Sequence, residues 1–304
     1  MHDCLGLLDY RRKRTEWLGW LQGDPHNSIN RQLYGFMWDD AVFRMLNEAR
    51  RFATKEQPTS AVAPTLASML DQGFVATQIL AVSRLVDKRK DVISLRRLLD
   101  DIEAHRHLVT REMFVCHDGL LYNAAAAERA FWAKAPRPTT GVVTMFLPTE
   151  GPEAFDTAER GHRAYDALSE KAPADRSRTD TIQPAVFDGI RALLEDQTVT
   201  SLVELRHKFV AHAADKLSRR RAGIERFGVT LNGLEAAQRS LVQAAQRIEL
   251  DLLWGSSRGV VPVPQHDHLR YLDLPFAPAD RLQELRDWWQ RHCEAREEWT
   301  SARS

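Results

Sequence analysis

Apolar residues recur at intervals of three and four positions along most of this chain, and that spacing limits its fold more than any other feature. In the segment "RQLYGFMWDDAVFRMLNEARRFA", residues 31–53, the repeating set is Tyr34, Trp38, Ala41, Met45, Ala49 and Phe52. An α-helix turns by about 100° per residue, so this spacing places the whole set on one helix face. A succession of such segments predicts an all-α protein in which each helix buries one face.

Capping residues predict where several of these helices begin and end. Ser94 is placed to cap a helix over 95–108, and Thr230 is placed to cap a helix that ends at Gly255. The segment "TREMFVCHDGLLYNAAAAERAFW", residues 110–132, is expected as a single helix antiparallel to the one before it. The buried edge of the helix after Ser94 is predicted to consist of Leu95, Leu98, Leu99 and Ile102.

Local composition divides the chain into a helical domain and two flanking parts. The domain is expected over 31–255, with an N-terminal extension over 1–30 and a C-terminal arm and helix over 256–304 packed on the same domain. The stretches "APRPTTGVVTMFLPTEGPEAF" and "KAPADRSRTDTIQP" carry six prolines and weak periodicity. Residues 133–183 are therefore predicted as an insertion or long loop. A short helix around "AERGHRAYDALSE" and a hairpin near 140–148 could lie within it.

The charge and cysteine counts limit the partners of this chain. Lys plus Arg number 42, as do Asp plus Glu, so no overall field draws the protein to nucleic acid or membranes, and any such site must be a local patch. Three widely spaced cysteines argue against a disulfide framework or a cysteine-based zinc site. Without an apolar run long enough for a signal peptide or membrane span, we expect a cytoplasmic protein with no membrane partner.

One charged residue interrupts a predicted packing face. The segment "SLVELRHKFVAHAADK", residues 201–216, begins an apolar stripe of Leu202, Val203, Leu205, Phe209, Val210, Ala213 and Leu217. Arg206 projects near the middle of that stripe, where a guanidinium costs several kcal/mol unless it is paired or faces an anion. Ser201 and Glu204 form a capping box that predicts the start of this helix. Arg206 and His212 are expected on the same helix.

Two interpretations of Arg206 are open at this point. It could pair with a buried carboxylate from a neighbouring helix, with His212 an ordinary satisfied helix residue. Alternatively, Arg206 and His212, about 120° apart around one helix, could converge with those of a second copy across a two-fold axis and line a cleft for RNA. Histidine can act as base for a ribose 2′-hydroxyl and as acid for the departing 5′-oxygen. Arginine can bind the phosphate and stabilise its developing charge.

Other histidine groups are weaker candidates for chemistry. His266, Asp267 and His268 lie together in a proline-bounded arm, but two histidines without an evident third ligand rarely hold a metal. A solvated loop is the favoured interpretation. His105 and His107 lie two positions apart on a predicted helix, where they diverge by about 200°. We therefore expect no metal site at either group.

Two segments resemble a known superfamily. "LRHKFVAHAADK" is similar to the R-x(4–6)-H signature of HEPN domains, including the polar residue after the arginine, here His207. "ILAVSRLVDKRKDVISLRRLLDDIE" resembles the first half of the abortive-infection U-type branch of that superfamily. There, one helix ends in a Ser-Arg-Leu and Asp-Lys-Arg-like segment, and a Ser-Leu begins the next. The resemblance covers residues 30–255.

The resemblance implies a HEPN-like antiparallel helical bundle that dimerises. The arginine and histidine motifs of both protomers would form one ribonuclease cleft that needs neither a metal nor a cofactor. Arg206 would hold and polarise the phosphate, His212 would be the acid–base residue, and His207 would orient or assist. Lys208 would contact the RNA backbone, and Arg84 could reach the cleft. The implied role is prokaryotic antiphage defence or a toxin-type system, in which an antitoxin or regulatory partner could restrain the activity.

A second hypothesis belongs to a different class of protein. A non-catalytic, dimeric helical module that binds RNA, a nucleotide or a partner protein would have the same helical pattern. Both hypotheses expect a homodimer, but only an endoribonuclease requires Arg206 and His212 together. Incubation of the protein with RNA in the presence of EDTA separates the two.

Overall fold

The computed structural model shows a protein built from helices. It describes residues 2–56, 64–135, 146–223, 228–255, 263–267, 269–270, 274 and 278–301. Over these residues every regular element is helical and no strand occurs, which confirms the all-α prediction. The hairpin expected near 140–148 has no strand at 146–148, and its remaining positions lie outside the described residues.

Twelve α-helices lie in the part of the chain that the structure describes. They are α1 (His2–Leu18), α2 (Ile29–Glu56), α3 (Pro64–Leu85), α4 (Leu95–Ala104), α5 (Arg111–Cys116), α6 (Ala125–Lys134), α7 (Phe155–Ser169), α8 (Pro184–Leu194), α9 (Gln197–Leu205), α10 (Lys216–Arg221), α11 (Leu231–Arg247) and α12 (Leu282–Ser301). At their C-terminal ends, α1, α9 and α11 continue as wider π-helical turns over Gly19–Gly23, Arg206–Val210 and Ile248–Leu252, respectively.

The chain forms two compact units. The first comprises Met1–Leu46 and Pro64–Pro262, and the second comprises Asn47–Ala63 and Val263–Ser304. In the first unit, α11 packs against α3, α8 and α9, and α4 packs against α8. The predicted buried edge of α4 is confirmed, because all four of its aliphatic residues are fully buried. Ser94 caps this helix as predicted, accepting a hydrogen bond from the Arg97 amide.

The N-terminal segment belongs to the core of the first unit, although it was expected as an extension. Tyr10, Trp17 and Leu21 are almost completely buried. Trp17 Nε1 donates to Asp101 Oδ2 (2.7 Å), and Lys13 Nζ donates to the same oxygen (2.9 Å). Large aromatic side chains stabilise a fold most when they are buried. Because these aromatic residues reach the core, α1 is an integral part of the bundle.

The second half of the predicted insertion also lies in the core. The short helix expected there is present as α7, and Tyr165 and Leu168 on it are buried together with Ile182 beyond it. The Tyr165 hydroxyl contacts the carbonyl oxygens of Val109 and Asp180. Residues 155–183 thus pack against α5 instead of forming a peripheral loop. The weak periodicity of the stretch as a whole did not indicate this packing.

The helix expected over 110–132 is divided into two. Thr110 caps α5, which ends at Cys116, and α6 begins only at Ala125. Between them, Gly119 has a φ of 101°, a conformation that costs glycine little and other residues much more. This turn separates two stretches of similar apolar composition. Because the spacing of apolar residues continues across it, the sequence predicted a single helix.

At the end of α11, a tryptophan takes the backbone conformation that is usual for glycine. Thr230 caps this helix as predicted, because its side-chain hydroxyl accepts a hydrogen bond from the Gly233 amide. After the π turn, Trp254 has a φ of 46°, and the Gly255 amide donates to the Glu249 carbonyl (2.7 Å). The Trp254 ring stacks on Phe114, with centroids 5.5 Å apart. The strained backbone of Trp254 therefore coincides with a packed aromatic contact.

We expect Gly161→Ala in α7 to destabilise the protein by about 1–3 kcal/mol, as overpacking of cores does. A Cβ at this position would lie 2.6 Å from the Trp254 ring. Helix propensity alone would favour alanine by about 1 kcal/mol, so the sign of the change in unfolding free energy is diagnostic. Gly73→Ala in α3 is the matched control, because a Cβ there meets nothing within 4 Å. Urea denaturation of both variants measures the difference, and a stabilised Gly161→Ala would contradict the packing described here.

The second unit contains α12, whose surface is unusually aromatic. Trp288 and Trp289 are about half exposed, and Trp288 stacks on His292 with ring centroids 4.7 Å apart. Leu282 and Leu285 are also exposed. None of the described helices is long and apolar enough to cross a membrane.

Candidate functional site

The helix that leads to Arg206 begins earlier than its sequence suggested. Asp196 caps α9, and its carboxylate accepts a hydrogen bond from the Thr198 amide (2.8 Å). The predicted capping box of Ser201 and Glu204 is therefore wrong, because both residues lie inside a helix that has already formed. Asparagine, serine and aspartate are similarly good caps, so the sequence offered two starts for this helix.

Arg206 and His212 were expected on one helix, and this prediction is wrong. From Arg206 to Val210 the chain forms a π turn, in which the Ala211 amide donates to the Arg206 carbonyl (2.8 Å). His212 lies beyond this turn in an irregular connection, and Asp215 then caps α10. The predicted angle of 120° between the two side chains therefore no longer applies. Single π turns occur frequently at functional sites.

Arg206 is half-buried, and its guanidinium has no hydrogen-bond or ion-pair partner among the described residues. The π turn packs against α3, which brings Arg206 near the chain that follows that helix. Partial burial raises the pKa of Asp87, but hydrogen bonds from Arg89 and the charges of Arg89 and Arg206 outweigh it and hold that pKa below its usual value. Asp87 thus lies within electrostatic range of Arg206 without bonding to it.

A second arginine shows what full pairing looks like in this fold. Arg111, at the start of α5, is completely buried. Its guanidinium donates to Asp180 (2.8 Å), Asp166 (2.7 Å) and the Ser169 hydroxyl (2.9 Å). It also lies 5.1 Å from the centroid of the Tyr165 ring. Arg111 has partly buried carboxylate partners of the kind that one interpretation expected for Arg206, and Arg206 itself lacks such partners in the part of the chain that is described.

The remaining predicted site residues have different surroundings. His207 and His212 are exposed, and neither ring has a hydrogen-bond partner within the described chain. Lys208 is half-buried, and its Nζ donates to Ser218 Oγ (3.0 Å). Arg84 is exposed at the end of α3 and donates to Asn27 Oδ1 (3.3 Å). The structure therefore brings the ends of α3 and α9 together, with Lys208 bound within the protein.

Basic side chains concentrate on the two segments that meet at this place. The segment "RHKFVAHAADKLSRRR", residues 206–221, contains six Lys or Arg residues and one Asp, and the segment "RLVDKRK", residues 84–90, contains four Lys or Arg residues and one Asp. The exposed members are Arg84, Lys88, Arg89, Lys90, Lys216, Arg220 and Arg221. Because the whole chain carries no net charge, this local excess is the kind of patch that a nucleic-acid site requires.

The histidines considered for metal binding form no site in the described residues. No group of three His, Cys, Asp or Glu side chains that could hold a metal ion occurs among them. His268 lies outside the described residues. His105 and His107 do not diverge as predicted, since a 3₁₀ turn follows α4 and brings their ring centroids to 6.2 Å. His105 Nδ1 instead contacts the Asp101 carbonyl (2.8 Å).

Comparison with known proteins returned no relative. No protein-family model, no curated protein and no solved structure matches this chain. The function must therefore be inferred from the residues of the site itself.

Proposed function

We propose that this protein is an endoribonuclease that needs no metal ion and whose active site is built on Arg206 and His212. The observation that carries the proposal is the state of Arg206, which is half-buried, has no hydrogen-bond or ion-pair partner among the described residues and belongs to a segment rich in basic side chains. A charged group that is partly desolvated and unpaired is costly. An RNA phosphate would supply the missing partner, and an arginine binds phosphate through two parallel hydrogen bonds.

The chemistry needs three functions that these side chains can supply. A base removes the proton of the ribose 2′-hydroxyl, and the O2′–P bond forms. The P–O5′ bond then breaks as an acid protonates the departing oxygen. His212 serves in proton transfer because histidine titrates near neutral pH. Arg206 stabilises the charge that develops on the phosphate, and His207 orients or assists. The products are a 2′,3′-cyclic phosphate and a 5′-hydroxyl.

A second copy of the chain completes this proposed site. One histidine cannot simultaneously accept the 2′-hydroxyl proton and donate a proton to the 5′-oxygen, whereas two histidines can divide these tasks. A two-fold axis near Arg206 would bring both pairs into one cleft. The dimer is thus part of the proposal, and residues Arg206 and His212 of each protomer belong to a shared site.

One observation favours a second candidate function, RNA binding without cleavage. Catalytic histidines are commonly oriented by a hydrogen bond to their second ring nitrogen. His212 has no such bond among the described residues, whereas the basic surface that could bind RNA is present without it. This alternative keeps the phosphate contact of Arg206 and removes the acid–base role of His212.

The direct test is incubation of the purified protein with a fluorescent single-stranded RNA in EDTA. We expect cleavage to products with 2′,3′-cyclic phosphate ends, and none of a DNA strand with the same sequence, because DNA lacks the attacking 2′-hydroxyl. Light scattering on the same preparation is expected to give a dimer. Products with 5′-phosphate ends, or cleavage only after addition of a divalent metal, would place the active site elsewhere. Tight RNA binding without cleavage would favour the second candidate.

A further inference from the structure

The connection that carries His212, residues 211–215, is bound to the elements on both of its sides. The Ala214 amide donates to the Lys208 carbonyl (3.3 Å) in the π turn. The Ala214 carbonyl accepts a hydrogen bond from Arg219 Nη1 (2.5 Å) on α10. Both backbone groups of the residue two positions after His212 are therefore held. An irregular segment without such bonds would sample many backbone conformations.

Lys208 and the N-terminus of α10 strengthen the same connection. Lys208 Nζ donates to Ser218 Oγ (3.0 Å), which ties the π turn to α10. The Asp215 carboxylate accepts a hydrogen bond from the Ser218 amide (2.7 Å) and fixes where α10 begins. The two ends of the connection are thus linked to each other as well as to Ala214.

The side chain of Arg219 is directed into the protein. It is half-buried, its Nε is inaccessible to solvent, and its guanidinium carbon lies 5.6 Å from the Phe209 ring centroid. Its neighbours Arg220 and Arg221 are exposed. An arginine that binds a nucleic-acid phosphate needs its planar fork in solvent. The position of Arg219 therefore favours contact with the connection over residues 211–215 rather than contact with an RNA strand.

We propose that Arg219 and Lys208 are positioning residues that fix the connection carrying His212, and that neither binds RNA. The proposal rests on the nuclease function proposed above. It replaces the RNA contact that the sequence suggested for Lys208. Once freed from Arg219, the connection would hold His212 in the productive geometry for a smaller fraction of time. A misplacement of about 1 Å can lower a rate by about 100-fold.

Arg219→Ala and Arg221→Ala each remove one positive charge from α10. Comparing them separates a positioning role of Arg219 from a role in phosphate binding. We expect Arg219→Ala to lower kcat by about 10- to 100-fold while KM and the salt dependence of RNA binding stay unchanged. Loss of one phosphate contact would instead reduce the slope of log K against log salt by about 0.7 for a single strand. Arg221→Ala shows the effect of charge removal alone. A reduced salt slope with unchanged kcat in Arg219→Ala would overturn the proposal.

Hydrogen exchange without RNA tests the same contact independently of cleavage. We expect the amides of residues 211–215 to exchange faster in Arg219→Ala than in wild type, with Arg221→Ala unchanged. Arg219→Lys keeps a donor for the Ala214 carbonyl and is expected to restore part of the protection and of kcat. Unchanged exchange in Arg219→Ala, with helix content intact, would refute the contact. If wild type cleaves no RNA, the nuclease proposal fails, and exchange still decides whether Arg219 holds this connection.

Discussion

Arg206→Ala is expected to lower the rate of RNA cleavage by more than about 100-fold, a loss typical when one electrostatic stabiliser of a transition state is removed. The unfolding free energy is expected to change by less than about 1 kcal/mol, as at positions without a packing or pairing role. This combination follows from the position of Arg206, which is half-buried and has no partner among the described residues. Single-turnover kinetics and urea denaturation of the same preparation measure both quantities.

Two further variants test the assigned roles of the site residues. Arg206→Lys keeps the charge but loses the planar fork that binds phosphate through two bonds, so it is expected to remain severely impaired. His212→Ala is expected to lose about 100- to 10,000-fold in rate through loss of acid–base catalysis, with RNA binding retained.

Arg12→Ala is the matched control for Arg206→Ala. Arg12 is an exposed arginine that pairs with Asp9 one helical turn away, and its loss should leave cleavage unchanged. If Arg206→Ala cleaves RNA at the wild-type rate, the nuclease site is not at Arg206. A large loss of stability would show that Arg206 is structural.

The helical character of the fold was predictable because helix periodicity is a local property of the sequence. The buried edge of α4 and its Ser94 cap followed from spacing and residue type alone. Gly119 shows the limit of such reasoning. It interrupts a helix-compatible stretch with a φ of 101°, and the spacing of apolar residues does not record this interruption. At such a glycine, tertiary contacts decide whether the helix continues or ends.

The sequence singled out the candidate site residues but did not predict their geometry. Arg206 stood out because a charged side chain occupied an apolar stripe. Two features of Arg206 depend on tertiary packing that no local pattern encodes. It has no hydrogen-bond or ion-pair partner among the described residues, and it begins a π turn that packs against α3. Arg219 escaped notice because an arginine in the run "SRRR" looks like any solvated charge. Only the structure shows that one member of this run turns inward to Ala214.

Arg111 was missed for a related reason, since its partners are far away in sequence. Asp166 and Asp180 lie 55 and 69 residues further along the chain. The intervening prolines and weak periodicity suggested an insertion or long loop. A buried ion pair held by hydrogen bonds contributes no apolar spacing, so hydrophobic patterns cannot reveal it. In the segment over 155–183, the ion pairs of Arg111 act together with the buried side chains of Tyr165, Leu168 and Ile182.

The second large effect is expected for Arg111→Ala, which should lower the unfolding free energy by about 3–5 kcal/mol, as when one partner of a buried ion pair is removed. The variant removes the guanidinium that bridges Asp166 and Asp180, and only Asp166 keeps a second arginine partner among the described residues, Arg176. Arg163→Ala is the matched control, because this exposed arginine on α7 forms a surface pair with Glu159, which is worth about 1 kcal/mol or less.

The pH dependence of stability tests the role of Arg111 in a second, independent way. Partial burial raises the pKa of Asp166, but hydrogen bonds from Arg176 and Arg111 outweigh it and hold that pKa below its usual value. A carboxylate with a depressed pKa stabilises the fold above its unfolded-state pKa, near 4, and this contribution disappears as the pH falls through the folded-state value. Wild type should therefore lose stability on acidification, and Arg111→Ala should lose less, because part of that contribution is already gone. Denaturation midpoints between pH 7 and pH 3 measure the difference. Equal acid sensitivity in both proteins would mean that Arg111 does not hold the Asp166 carboxylate in its ionised form.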